Sequence, residues 1–221
     1  MVRERYHEKL QKLEKDILKM SGMVAEAIEG AVESLVQRDF KASKEIIKND
    51  VVINKLRFKI EERCLRLIAT QQPMARDLRT IAAILNIITD LERIADHAEG
   101  IAKINVLIGK KQLAKPLIDV PRMAEKGISM LTRCVEAFIS RDAKAAHAIC
   151  EEDDDVDALY EQVYRELLLI MIENPKTIEG ATHLMWVAHN LERIADRVTN
   201  IAERVIFMVT GSMEETNVSK Y

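Results

Sequence analysis

The chain has 221 residues, 48% hydrophobic and only 4% aromatic, a composition that argues against disorder and suffices for one large core or two small ones. Lys and Arg number 33 against 36 Asp and Glu, so the net charge of −3 offers no field for a nucleic-acid backbone, and no aromatic-basic stripe offers a base-stacking platform. The opening MVRERYHEKLQKLEKD is too polar for a signal peptide, and the longest aliphatic run, LLLIMI at 167–172, is far short of a membrane span.

In chain order, a first long helix runs from about Arg3 to Gln37, with Gly22 and Gly30 as points where it could loosen. Asp39 is placed to cap a second helix, because a short carboxylate satisfies the free N–H groups of a first turn. Pro73, preceded by Gln72, suits the first turn of a third helix, which Gly109 ends in a left-handed cap. KKQLAKPLIDVP, with Pro116 and Pro121, reads as a linker. Asp142, Pro175 (after Asn174) and Gly211 then repeat the cap, proline and stop signals. No stretch alternates with strand periodicity. The reading is all-α: two tandem three-helix bundles related by internal pseudo-symmetry, over residues 1–110 and 116–221, with long helices of about 50 Å at about 1.5 Å per residue. Cys64, Cys134 and Cys150 lack a CxxC spacing and fit buried free thiols in a reducing cytoplasm.

The two halves are copies. VESLVQRDFKA from Val32 aligns with VEAFISRDAKA from Val135, Asp50 with Asp153, and LERIAD at Leu91–Asp96 recurs at Leu191–Asp196. On the third helix Ile84, Ile88, Leu91, Ala95, Ala98 and Ala102 form an apolar seam that Ile87, Ile94 and Ile101 widen. Leu, Ile and Ala of the hexamer therefore recur because both bundles need the same packing. Glu92 and Asp96 stand four residues apart on another side, a ridge that Glu99 and Lys103 extend, and Glu192 and Asp196 repeat it.

Carboxylates at this spacing repel, by a few tenths, roughly, of a kcal/mol on an exposed helix. An intrahelical Arg, a basic residue of a neighbouring helix or a metal ion would relieve the repulsion. Oxygen ligands without cysteine suit magnesium, manganese, iron or calcium. Alone, such a pair is ordinary on a solvated face; its copying with context singles it out. Arg93 and Arg193 recur as well, one position further round the helix. A di-metal carboxylate enzyme needs two Glu-x-x-His pairs, and Glu4–His7 is the one such spacing. The EEDDD run at 151–155 fits solvation and the helix dipole. Arg76 and Arg79, three apart on one face, form a candidate surface for an acidic partner, absent from the second copy.

QQPMARDLR, then DLERIADHAEGIA and a second NLERIADRVTNIAERV, resemble the PhoU family of bacterial phosphate-uptake regulators over nearly the whole chain. The resemblance implies a cytoplasmic, non-enzymatic negative regulator of phosphate uptake and of the phosphate-starvation response. It further implies a homodimer that reaches the membrane only through two partners, the ATPase subunit of the phosphate ABC transporter and the phosphate sensor histidine kinase. It implies metal ions, iron first and manganese or magnesium as alternatives, at Glu92, Asp96, Glu192 and Asp196. Asp90, whose counterpart is Asn190, and Asp50 and Asp153 are implied as supporting ligands. A metal-dependent carboxylate-bridged enzyme and a purely structural scaffold are the competing readings.

Overall fold

The structure, a computed structural model, describes residues 2–213 and, in the first helix, the side chain of Tyr6 and those from Glu8 onward. The Glu4–His7 pair therefore lies outside the described side chains. Among the described residues seven α-helices follow in order: α1 Val2–Gln37, α2 Phe40–Gln71, α3 Arg76–Ile108, α4 Asp119–Ser140, α5 Ala143–Glu151, α6 Asp153–Glu173 and α7 Ile178–Thr210, with a 3-10 turn at Pro175–Thr177 before α7. No strand occurs among the described residues.

The recurring Arg-Asp dipeptide is a stop and a start. Arg38 and Arg141 take left-handed φ of 59° and 58°, which ends α1 and α4. Asp39 then accepts from the N–H of Lys41 and Ala42 at 2.9 and 3.0 Å, and Asp142 from that of Ala145 at 3.0 Å. The left-handed conformation costs a non-glycine residue roughly 1–2 kcal/mol, and both guanidinium groups form contacts that offset it. Arg38 donates to Asn105 Oδ1, to the carbonyl of Gly109 and, at 3.1 Å, to that of Lys111, securing the end of α3. Arg141 instead crosses to the other half, donating to Thr80 Oγ1 at 3.1 Å and Glu14 Oε1 at 3.2 Å.

The apolar seam does what its spacing predicts: all nine seam residues of α3 are buried, as are Leu191, Ile194 and Ala195 of α7. Burying each large aliphatic side chain contributes about 1.5–3 kcal/mol. α3 and α7 form the central pair, with α1 and α2 around α3, and α4, α5 and α6 around α7; α1 also packs on α4. The central helices run antiparallel, for Asp90 faces Arg197 (3.6 Å) while His97 faces Asn190 (3.0 Å). These two pairs exchange under the repeat that carries residue 90 to 190 and 97 to 197. One continuous cluster of buried side chains, from Tyr6 to Met208, joins all seven helices.

The halves differ at one end of this core. Asn105 Nδ2 donates to the Ser34 carbonyl (2.8 Å) and Ser43 Oγ (2.9 Å), and the two serine hydroxyls bond each other at 2.8 Å, all buried. At the corresponding positions the second half carries Ala137, Ala146 and Val205, an apolar set.

Five expectations are corrected. α1 runs unbroken through Gly22 and Gly30. Pro73 does not open α3, because Gln72 (φ 46°) and Ala75 (φ 41°) turn the chain in the left-handed region and the helix begins only at Arg76. Pro121 belongs to the first turn of α4, not to the linker; its missing N–H costs nothing there. The second middle helix is two helices, α5 and α6, parted at Glu152, and α4 has 22 residues against 36 in α1, so in this half α7, with 33 residues, meets the long-helix estimate and the others fall short of it.

Candidate metal centre

In the first half, packing of α2 on α3 brings Asp50 beside Asp96 and Glu99, with one carboxylate oxygen of each within 4.8 Å of the others. Asp50 is half-buried; its Oδ2 accepts from Asn54 Nδ2 at 2.7 Å, while its Oδ1 is shielded from solvent with no hydrogen-bond partner. Burial pushes the Asp50 carboxyl up, and the neighbouring Glu99 and Asp96 add to the shift. Asp96 is raised likewise, by burial first and then by Glu92 and Glu99. Glu92, half-buried one turn back, acts on Asp96 through its charge but lies outside the triad. Lys103 pairs with Glu99 across one helical turn. Beside the triad opens a cavity of ≈ 340 Å³ whose wall includes Met23, Ile46 and Ile53, with Glu26, Asp50 and Glu99 as its acidic lining.

An orphaned carboxylate oxygen and three converging carboxylates are a donor set for a hard cation such as Mg²⁺, Mn²⁺ or iron. These residues fit a metal ion. Glu99, seen in the sequence only as an extension of the ridge, is a member of the triad, and its position three residues after Asp96 was the available signal.

The second ridge is built differently. Glu192 is 6% exposed, and both its oxygens accept from the adjacent Arg193, Oε2 from Nε at 2.6 Å and Oε1 from Nη2. Nη1 of the same guanidinium lies 2.8 Å from Asp196 Oδ2. His189 Nδ1 stands 3.5 Å from Glu192 Oε2. Asp196 is pushed up to about 6 by burial, then by Glu192 and Asp157, against the pull of Arg193 and Arg197. Thr199 holds the position of Glu99 and donates its hydroxyl to the Asp196 carbonyl at 2.7 Å. Asp153 is buried at the start of α6. Two acids of the run around it are paired from α4, Glu152 by Arg133 (2.6 Å) and Asp155 by Lys126 (2.7 Å).

Asp90 sits apart from both ridges, between α3 and α7, where burial raises its carboxyl against the pull of Arg197. Arg76 is exposed at the start of α3, whereas Arg79 is half-buried, its guanidinium packed over Gly211 at the end of α7. The two arginines share a helical face but not an environment.

A PhoU domain is matched over residues 17–104 and again over 120–205. The chain belongs to the PhoU family. Each matched PhoU domain holds one LERIAD, and the α2 and α6 aspartates Asp50 and Asp153 fall inside the matches too. A phosphate-specific transport system accessory protein PhoU homolog from Clostridium acetobutylicum is 36% identical over 98% of this chain and 100% of its own length. One from Aquifex aeolicus is 39% identical over 92% of each chain. The crystal structure of PhoU from Pseudomonas aeruginosa superposes with a TM-score of 0.89 at 31% identity, covering 94% of this chain and 100% of that one. That of the phosphate transport system regulatory protein PhoU from Streptococcus pneumoniae gives 0.89 at 31%, over 95% and 99%.

Proposed function

We propose that this chain is an accessory regulator of a phosphate-specific transport system, a non-catalytic helical adaptor acting in the cytoplasm. The observation that carries this reading is the end-to-end similarity, at 36% identity, to a relative named as the accessory protein of such a system. In this reading the long helical faces dock the ATPase subunit of the phosphate ABC transporter and the phosphate sensor kinase, and the chain acts as a homodimer. No helix among the described residues is long and apolar enough to cross a membrane; the adaptor meets the membrane through those partners.

In the same reading, Asp50, Asp96 and Glu99 hold a metal ion, iron by family resemblance, manganese or magnesium otherwise, with Glu92 alongside. Bound there, the ion supplies positive charge where three carboxylates meet. The residues themselves do the rest: Asp50 belongs to α2, Asp96 and Glu99 to α3, so loading ties the two helices and fixes the face they present.

Affinity capture from native membranes at low and high phosphate tests the adaptor role. Recovery of the transporter ATPase or the kinase is expected, and recovery of neither under both conditions overturns it. Turnover by the metal-loaded chain that Glu99→Gln abolishes would replace the adaptor reading with an enzymatic one.

A further inference from the structure

We infer that Arg193 is the resident cation of the second acidic ridge, so that Glu192 and Asp196 hold a guanidinium instead of a metal ion and metal loading is confined to the first half. The inference deepens the metal reading above and rests on it for the first ridge only.

The hexamers are identical, so the difference lies in what surrounds them. Glu192 is buried where Glu92 is half-buried, and a buried carboxylate must be paired. The nearest donor is the next residue, whose planar fork matches a carboxylate edge-on. Arg193 uses Nε and Nη2 on Glu192 and has Nη1 left for Asp196 at 2.8 Å, so a single side chain spans the ridge. Arg93, at the same place in the first copy, is exposed and spans no such pair of carboxylates among the described residues; it acts on Asp96 and Asp90 only through its charge.

A divalent ion would have to approach the same oxygens, at about 2.0–2.6 Å, that already accept from the guanidinium. It would meet positive charge where the first ridge offers an orphaned carboxylate oxygen. Glu99 has no carboxylate counterpart, since Thr199 stands in its place with its hydroxyl spent on its own helix; the third acid at this ridge, Asp157, acts on Arg193 as well as on Asp196. A repeat that reads as two metal sites is thus one open site and one closed internally.

Mn²⁺ binding to the full chain, followed by calorimetry and by elemental analysis after dialysis, decides the matter. Bound Mn²⁺ is expected to fall to background in an Asp96→Asn/Glu99→Gln variant and to stay unchanged in Glu192→Gln. Arg193→Gln is expected to gain a second class of sites, lost again when Glu192→Gln is added. A loss of Mn²⁺ in Glu192→Gln, or no gain in a folded Arg193→Gln, overturns the inference. If the unaltered chain binds no Mn²⁺, the metal reading of the first ridge fails, and the Arg193→Gln result alone decides this one. Should Arg193→Gln not fold, the Nε–H resonance of Arg193 under saturating Mg²⁺ replaces it. A resonance unmoved while the carboxyl signal of Asp96 shifts supports the inference; displacement of Arg193 ends it.

Discussion

The two halves have the same helix stops, the same seam and the same hexamer, yet they place polar groups differently. In the first, Ser34, Ser43 and Asn105 carry hydrogen bonds into the core and three carboxylates meet at an open ridge. In the second, alanines and a valine fill the core positions, and Arg193 covers the ridge. Apolar seam positions are constrained because each knob fills a defined space. Polar contacts can change when all members of a set change together, since a network wholly replaced leaves no buried group without a partner.

The sharpest way to break this comparison is in the seam. Leu91→Ala and Leu191→Ala should each destabilise by about 2.5–5 kcal/mol, and by similar amounts, because both leucines are buried in the same setting. Urea unfolding measures both, and a large inequality would show that the repeated seam is not energetically repeated. Next comes the polar set. Asn105→Val alone should cost about 1–3 kcal/mol by removing three hydrogen bonds at once, those to the Ser34 carbonyl and Ser43 and that from Arg38. The triple change Ser34→Ala, Ser43→Ala, Asn105→Val, which copies the second half, should recover part of that loss. A triple variant less stable than the single one contradicts the set argument.

Protonation gives a third contrast. The Asp196 carboxyl in the folded chain titrates at about 6, above its ordinary 3.8. A raised acid contributes stability that is full below the unfolded value and lost as pH climbs through the folded one. The unaltered chain should therefore lose ground to Asp196→Asn between about pH 4 and pH 7. Paired unfolding curves at those pH values read the trend, and carbon NMR of the carboxyl should show the midpoint. The smallest effect belongs to the exposed clasp of the second half. Lys126→Ala, which frees Asp155, should cost below about 1 kcal/mol and less still in high salt.

Much of the fold was legible because its signals are local. Asp39, Asp142, Gly109 and Gly211 act within one turn of themselves, and the seam follows from period alone. The break at Glu152 was not, since an acidic run suits a helix surface as well as a helix start. Pro73 misled because the left-handed Gln72 and Ala75, not the proline, set where α3 begins. In the site, the ridge could be seen on one helix. The third oxygen, from Asp50, depended on how α2 lies on α3, which spacing does not specify. Arg193 points one position away from the ridge by Cα geometry; its long side chain folds back onto it, a choice set by the burial of Glu192.

The crossing of α3 and α7 has one more consequence. Asp90 meets Arg197 and Asn190 meets His97, so residue i of one copy faces j of the other and the reverse holds, the signature of an interface between identical protein chains. Here the two surfaces are tethered by the segment 109–118. A tether of that length keeps the copies at an effective concentration on the order of millimolar, whatever the cell expresses. It also releases them from a genetic constraint. In a homodimer every substitution appears on both sides at once. Joined in one chain, Asp90 could become unlike Asn190, and one ridge could close while the other stayed open.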